Sequence, residues 1–158
     1  MNALALVIAV ALGLAPVAPA DSNVEARWGL SIWGLSYHTN RSVNYNQTNL
    51  GLGLRYYFNR KVFVEGDALR NSNWGLVLPV SGGVELGLGS LGPWRVSLIA
   101  AFTVAYYQNL RIKADYFRAG PVPGVAFAYG RVKTNVIIIL SPTAQPIDVI
   151  VASLTVAF

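Results

Sequence analysis

Residues Asp148 to Phe158 read DVIVASLTVAF. In an extended chain, successive side chains point to opposite faces. Ile150, Ala152, Leu154, Val156 and Phe158 therefore form one row, and Val149, Val151, Ser153, Thr155 and Ala157 form the other. The first row is apolar throughout, while the second runs from apolar to small and polar. A terminal strand of this kind, ending on an aromatic, is the usual closing strand of a bacterial outer-membrane β-barrel. The expectation is thus a sheet that closes on itself in a membrane.

Composition agrees. Apolar residues make up 54% of the 158 and charged residues only 12%, against about 25% charged in soluble domains. Outside the N-terminus there is no run of about 20 apolar residues, so helical spanning is not expected. Fifteen glycines, four tryptophans and eight tyrosines suit twisted strands bordered by aromatic girdles. The absence of cysteine excludes disulfides and thiol catalysis.

Residues 1–20 read as a signal peptide, with an apolar core from Leu4 to Val17 and small residues at Ala18-Pro19-Ala20 before a cut ahead of Asp21. The segment before that core has no Lys or Arg, and a first strand or anchor helix is the other reading. Residues 21–158 then form the barrel. For an exported chain, a net charge of +5 points to phosphates of lipopolysaccharide or phospholipid headgroups, not to nucleic acid.

Eight strands fit the period-2 pattern, at 28–38, 49–58, 61–70, 80–89, 94–107, 121–130, 131–141 and 147–158. Tight turns at Asn59-Arg60, at Ser90 to Pro93 and at Tyr129 to Arg131 alternate with longer links at 39–48, 71–79 and 108–120 and a shorter one at 142–146. The fold class is therefore all-β, an eight-stranded antiparallel transmembrane barrel of the outer membrane, monomeric, with short turns in the periplasm and longer loops outside.

The same pattern divides lipid from lumen. Leu50, Leu52, Leu54, Tyr56 and Phe58 face lipid; Asn49, Gly51, Gly53, Arg55 and Tyr57 face in. Arg55, Glu65, Asp67, Glu85, Lys133 and Asn135 are expected to form a neutralising floor near the periplasmic end, since buried charge is tolerated only when paired. Higher up, the inward rows carry Ile99, Ala101, Ala105, Gly124, Ala126, Ile137, Ile139, Val149 and Val151. Eight strands leave little room for a channel. The apolar upper lumen reads either as a slot for a hydrocarbon chain or as ordinary core packing.

His38 is the sole histidine, and histidine is the residue type whose unperturbed pKa lies near neutrality. It ends the first strand, while Arg70-Asn71-Ser72-Asn73 ends the third, so an up-and-down barrel carries both to the outer rim. A histidine base beside a serine hydroxyl is the minimum for acyl transfer to or from an ester; a rim histidine without such a role is the alternative.

Four stretches carry a resemblance: Ser36-Tyr37-His38, Tyr45 to Asn49 leading into Gly51-Leu52-Gly53, Arg70-Asn71-Ser72, and Gly120 to Pro123. In these the chain resembles the outer-membrane lipid A palmitoyltransferase family (PagP-like barrels) over most of residues 35–158. The resemblance implies transfer of an acyl chain from a phospholipid donor to a lipid A acceptor, with the chain held inside the barrel. It matches His38 and Ser72 to the family's histidine and serine. Asn71 stands where the family has aspartate, and an amide cannot supply the charge that orients a protonated imidazole. It could still position substrate or face an oxyanion.

Arg41, Arg70, Arg111, Lys113 and Arg118 lie in or beside the outer loops, where they would meet lipid A phosphates or simply be solvated. Ile99, Ala101, Ile137 and Ile139 would line the slot. Pro121, Pro123, Pro142 and Pro146 cluster at the outward ends of the last three strands and lack the N–H needed for a ladder. The family admits lipid sideways through such openings; loop punctuation is the other reading. Trp28, Trp33, Trp74 and Trp94, with Tyr56, Tyr106 and Tyr129, read as interface belts. One histidine and no cysteine give no basis for a zinc site, and no cofactor is expected. Two further readings stay open: a non-catalytic barrel that binds lipid, and a lipid A deacylase, for which Asp115 is the available outer carboxylate.

Overall fold

The computed structural model describes residues 27–39, 44–110, 112–140 and 147–158. The signal-peptide reading, Arg41, Arg111, Pro142 and Pro146 lie outside these residues. Eight antiparallel strands run β1 (Trp28–His38), β2 (Thr48–Tyr57), β3 (Val62–Arg70), β4 (Leu76–Leu91), β5 (Trp94–Asn109), β6 (Ala114–Tyr129), β7 (Val132–Leu140) and β8 (Ile147–Ala157). Each pairs with its sequence neighbour, and β1 pairs with β8 from Gly29↔Ala157 to His38↔Val149, which closes the barrel. Closure leaves no sheet edge, the condition for placing strands in hydrocarbon.

The faces follow the pleat. Leu50, Leu52, Leu54, Leu98, Phe102 and Val104 are exposed on the outside, while Asn49, Arg55, Glu65, Ile99, Ala105 and Asn135 are buried within. This inversion of the soluble pattern is that of a transmembrane barrel. At the short-turn end the belt pairs Trp28 with Tyr56 (ring centroids 4.8 Å apart) and Trp94 with Tyr129 (5.5 Å). Gly92 and Gly130 sit at φ 59° and 57° in two of the turns there, a conformation that costs glycine nothing.

Trp33 is not part of that belt. It shares the inward row with Ser31, is 9% exposed, and donates from Nε1 to Asp67 Oδ1 at 2.7 Å. Its bulk signalled an interface, but its parity on β1 decides its face. Gly53 makes room for the carboxylate it meets, since a Cβ there would strike Asp67 Oδ1.

Three strands are longer than their sequence pattern suggested. β4 starts at Leu76 instead of 80, β5 runs on to Asn109, and β6 starts at Ala114 instead of 121. Pro79, Pro121 and Pro123 mimicked strand ends but lie within strands. Each keeps its partner on β5, at Ala105, Phe102 and Ala100 respectively. The missing N–H falls on the other side. The β3–β4 ladder skips Pro79 between Gly66↔Val80 and Leu69↔Val77, and the β6–β7 ladder stops at Gly124↔Ile137. The links expected at 71–79 and 108–120 shrink to turns.

Because Leu52 faces lipid near the middle of β2, Leu52→Arg is expected to destabilise the barrel by about 2–4 kcal/mol, the cost of a basic residue at the bilayer midplane. Equilibrium denaturant unfolding in lipid vesicles measures it, and an effect below 1 kcal/mol would contradict the assigned face.

Candidate functional site

The polar lumen is a connected network. Arg55 bonds Glu65 through Nη2 (2.6 Å) and Nε (3.1 Å), and bonds Glu85 through Nη1 (2.9 Å). Glu85 also takes Lys133 Nζ at 2.5 Å and Tyr57 Oη at 2.8 Å. Ser31 bonds Glu65, and Asn135 donates to Thr155 at 2.9 Å. The guanidinium of Arg55 lies 4.4 Å from the Phe63 ring centre. Five of the six residues expected to form the floor interlock in this way or through Thr155 and Ser31, and the sixth, Asp67, holds Trp33.

The apolar residues divide differently from the sequence reading. Ala105, Ile137, Val149 and Val151 pack with Trp33, Leu69 and Val77, and Ile139 joins them. Ile99 and Ala126 instead pack with Phe63, with Ala101 alongside. Strands tilt in a closed barrel, so equal positions along neighbouring strands lie at different depths. All four residues expected to line a slot, Ile99, Ala101, Ile137 and Ile139, do line one cavity. Its volume is about 530 Å³, within the roughly 300–1,000 Å³ of small-ligand sites. It reaches from Arg55 and Glu65 up to His38 and Ser72, and its wall includes Pro121 and Leu140 beside the place where the β6–β7 ladder stops.

At the outer end, His38 Nε2 lies 2.6 Å from Ser72 Oγ. A bulge at Gly34 makes this contact possible. Before it the odd residues Ser31 and Trp33 are buried; after it the even residues Ser36 and His38 are. One extra residue shifts the inward row by one, the usual way a bulge re-aims a side chain. Without it Tyr37 would face the lumen. His38 is 5% exposed, and the Tyr45 ring stacks on it at 4.2 Å and 21°. The segment carrying Tyr45 is tied across the site, Asn46 N donating to Ser72 O at 3.0 Å.

Asn71 does not act on the imidazole ring. Its Nδ2 donates to Gln108 O (2.7 Å) and Leu76 O (3.2 Å), and its Oδ1 accepts from the backbone N–H of Asn73 (2.8 Å) and Gly75 (3.1 Å). All four hydrogen-bonding positions of the amide are used, two within the turn that presents Ser72 and two on carbonyls of β4 and β5. Trp74, at φ 69°, completes that turn. An aspartate here would set a carboxylate against two carbonyl oxygens.

Asn49 is a residue the sequence reading did not assign to the site. Its Nδ2 donates to Ser36 Oγ at 3.0 Å and to Ser72 Oγ at 3.2 Å, and the side chain is buried against the cavity. Its inward parity on β2 was the available signal. Arg118 also lines the cavity. Arg70 does not: it is exposed on the outer face, its guanidinium 4.6 Å from the Trp74 ring centre. Asp115 accepts from Tyr106 Oη at 2.8 Å on an exposed face.

The fold and site define a class: a closed eight-stranded transmembrane barrel with a ligand-sized lumen that ends on a histidine–serine pair. No family model matches the chain and no curated protein matches it. Among solved structures, that of Neisserial surface protein A (NspA) aligns at 13% identity and a TM-score of 0.42, covering 83% of this chain and 95% of that one.

Three variants follow from this geometry. Arg55→Leu leaves Glu65 buried without its cation and is expected to cost about 3–5 kcal/mol, most of it recovered in the Arg55→Met/Glu65→Leu pair. Denaturant midpoints compare the two, and equal losses would refute the coupling. Asn71→Asp is expected to lose about 1–3 kcal/mol through unmade bonds to Leu76 O and Gln108 O, a result read from the same curves.

Proposed function

We propose that this barrel is an acyltransferase of the outer membrane, moving an acyl chain from a phospholipid to a hydroxyl of lipid A. The observation that carries the reading is the 2.6 Å contact between His38 Nε2 and Ser72 Oγ at the mouth of a largely apolar cavity. That distance is within the reach required of a base and its nucleophile.

In the proposed reaction Ser72 Oγ attacks the ester carbonyl carbon of the donor as its proton passes to His38 Nε2. The carbonyl re-forms, the bond to the glycerol oxygen breaks, and His38 returns the proton to that oxygen, releasing a lysophospholipid. A lipid A hydroxyl then attacks the seryl ester, its proton moves to His38, and Ser72 leaves as the alcohol by taking it back. The apolar middle of the cavity holds the chain. The gap at Pro121 and Pro123 supports lateral entry, because the unpaired wall there borders the lumen. Arg118 from within and Arg70 from the rim are suited to phosphate.

Asn71 supports a second reading, a barrel that holds lipid without turning it over, because the amide in the family's aspartate position is used by its own turn and by β5. One experiment separates the two. In a host expressing the protein, lipid A is expected to gain the mass of one acyl chain, and His38→Ala or Ser72→Ala to lower that gain by about 10²-fold or more. Full acylation by both variants would remove the pair from the mechanism. Co-purifying lipid without any mass gain would favour the second reading.

A further inference from the structure

Ser72 Oγ lies between two nitrogen atoms, His38 Nε2 at 2.6 Å and Asn49 Nδ2 at 3.2 Å. A hydroxyl has one proton to donate and lone pairs to accept with, while a neutral imidazole nitrogen is a donor in one tautomer and an acceptor in the other. The contact between Ser72 and His38 therefore has no direction of its own. An amide nitrogen, by contrast, only donates. With Asn49 N–H aimed at it, Ser72 Oγ accepts on that side; a second lone pair could also accept from His38, but the Ser72 proton would then lose His38 Nε2, the acceptor that it has within reach, so the proton points at His38 Nε2.

The orientation of the Asn49 amide follows from its surroundings. Its nitrogen has two oxygen acceptors within reach, Ser36 Oγ and Ser72 Oγ, one for each N–H. Its Oδ1 is buried with no hydrogen-bond partner among the described residues. Turning the amide over would leave two buried donors of Asn49 unmade, whereas the arrangement kept here leaves one buried donor, His38 Nδ1–H, and one carbonyl oxygen without a hydrogen bond among the described residues, and unsatisfied buried N–H groups are the rarer and costlier case. The stack of Tyr45 on His38 restrains the imidazole plane, and the contact of Nε2 with Ser72 Oγ selects between the two ring orientations that share it.

We propose that Asn49 is a positioning residue that sets the direction of the Ser72–His38 hydrogen bond, and with it the histidine tautomer that has Nε2 bare and Nδ1 protonated. Its effect on turnover rests on the acyl-transfer reading; the tautomer does not. In a histidine–serine pair an aspartate ordinarily selects this tautomer from the far side of the ring. Here the selection comes through the serine, which accounts for a base-competent pair while the amide of Asn71 serves the turn.

His38 is the only histidine of the chain, so ring ¹⁵N labelling of the refolded barrel in detergent gives two signals with a single owner. Above the pH at which the ring titrates, Nε2 is expected to resonate as an unprotonated nitrogen and Nδ1 as a protonated one. Asn49→Asp replaces the donor by acceptor oxygens, so the Ser72 proton turns to the carboxylate and the two ring signals exchange character. Lipid A acylation falls with it by about 10²–10⁴-fold, the usual span for a general base. A protonated Nε2 in the unaltered protein overturns the inference without any variant, and so does a folded Asn49→Asp barrel that keeps the original pattern. A bare Nε2 in a protein that transfers no acyl chain upholds the inference and removes the enzyme reading instead.

Discussion

Closure of the β1–β8 ladder is the constraint on which the rest depends. In hydrocarbon an unpaired backbone N–H or C=O costs several kcal/mol and finds no water, so a strand cannot stand at an edge. Eight strands that close in this way leave a lumen just wide enough to be filled by side chains. Charges on the inward rows are then buried, and most persist by pairing: Arg55 is shared between Glu65 and Glu85, and Glu85 between Arg55 and Lys133, while Asp67 takes the indole N–H of Trp33. The network is a consequence of the closure.

Against that background several local departures from a perfect ladder stand out around the cavity. The bulge at Gly34 turns His38 inward. Pro79 leaves a missing rung opposite Asp67, and Pro121 and Pro123 border the end of the β6–β7 ladder. Each proline keeps its ladder to β5, and the Gly34 bulge shifts the register with both β2 and β8 without breaking either pairing, so the barrel keeps its closure.

Much of this was legible in the chain because the bilayer enforces a strict period of two. Rows such as Leu50, Leu52 and Leu54 declare their face, and the inward charges declare that they must be paired. What escaped depended on events that break the period or ignore it. The inward face of His38 needed the bulge at Gly34, which has no signature in one sequence. Prolines inside strands looked like ends, since sequence shows that a donor is missing but not which neighbour it is missing from. Asn71 and Asn49 are both amides near one serine, and only the register tells that one ties its turn to β5 while the other bonds Ser72 Oγ.

The distribution of polarity along the lumen also gives the cavity a direction. Its lower charged groups are already paired with one another, so they offer an entering polar head little that water does not. Its middle, formed by Leu69, Val77, Ala105, Ile137, Val149 and Val151, is apolar and suited to methylene groups. The polar atoms placed to meet a ligand's functional group, among them Ser72 Oγ and His38 Nε2, stand at the mouth. In the proposed reading a chain with one polar end enters tail first and leaves that end beside the serine. The reverse orientation would bury the polar head among methyl groups and expose the tail to the rim, losing on both counts. The order of residues along the strands thus selects which part of an amphipathic ligand meets the reactive pair, before any contact specific to its headgroup is considered.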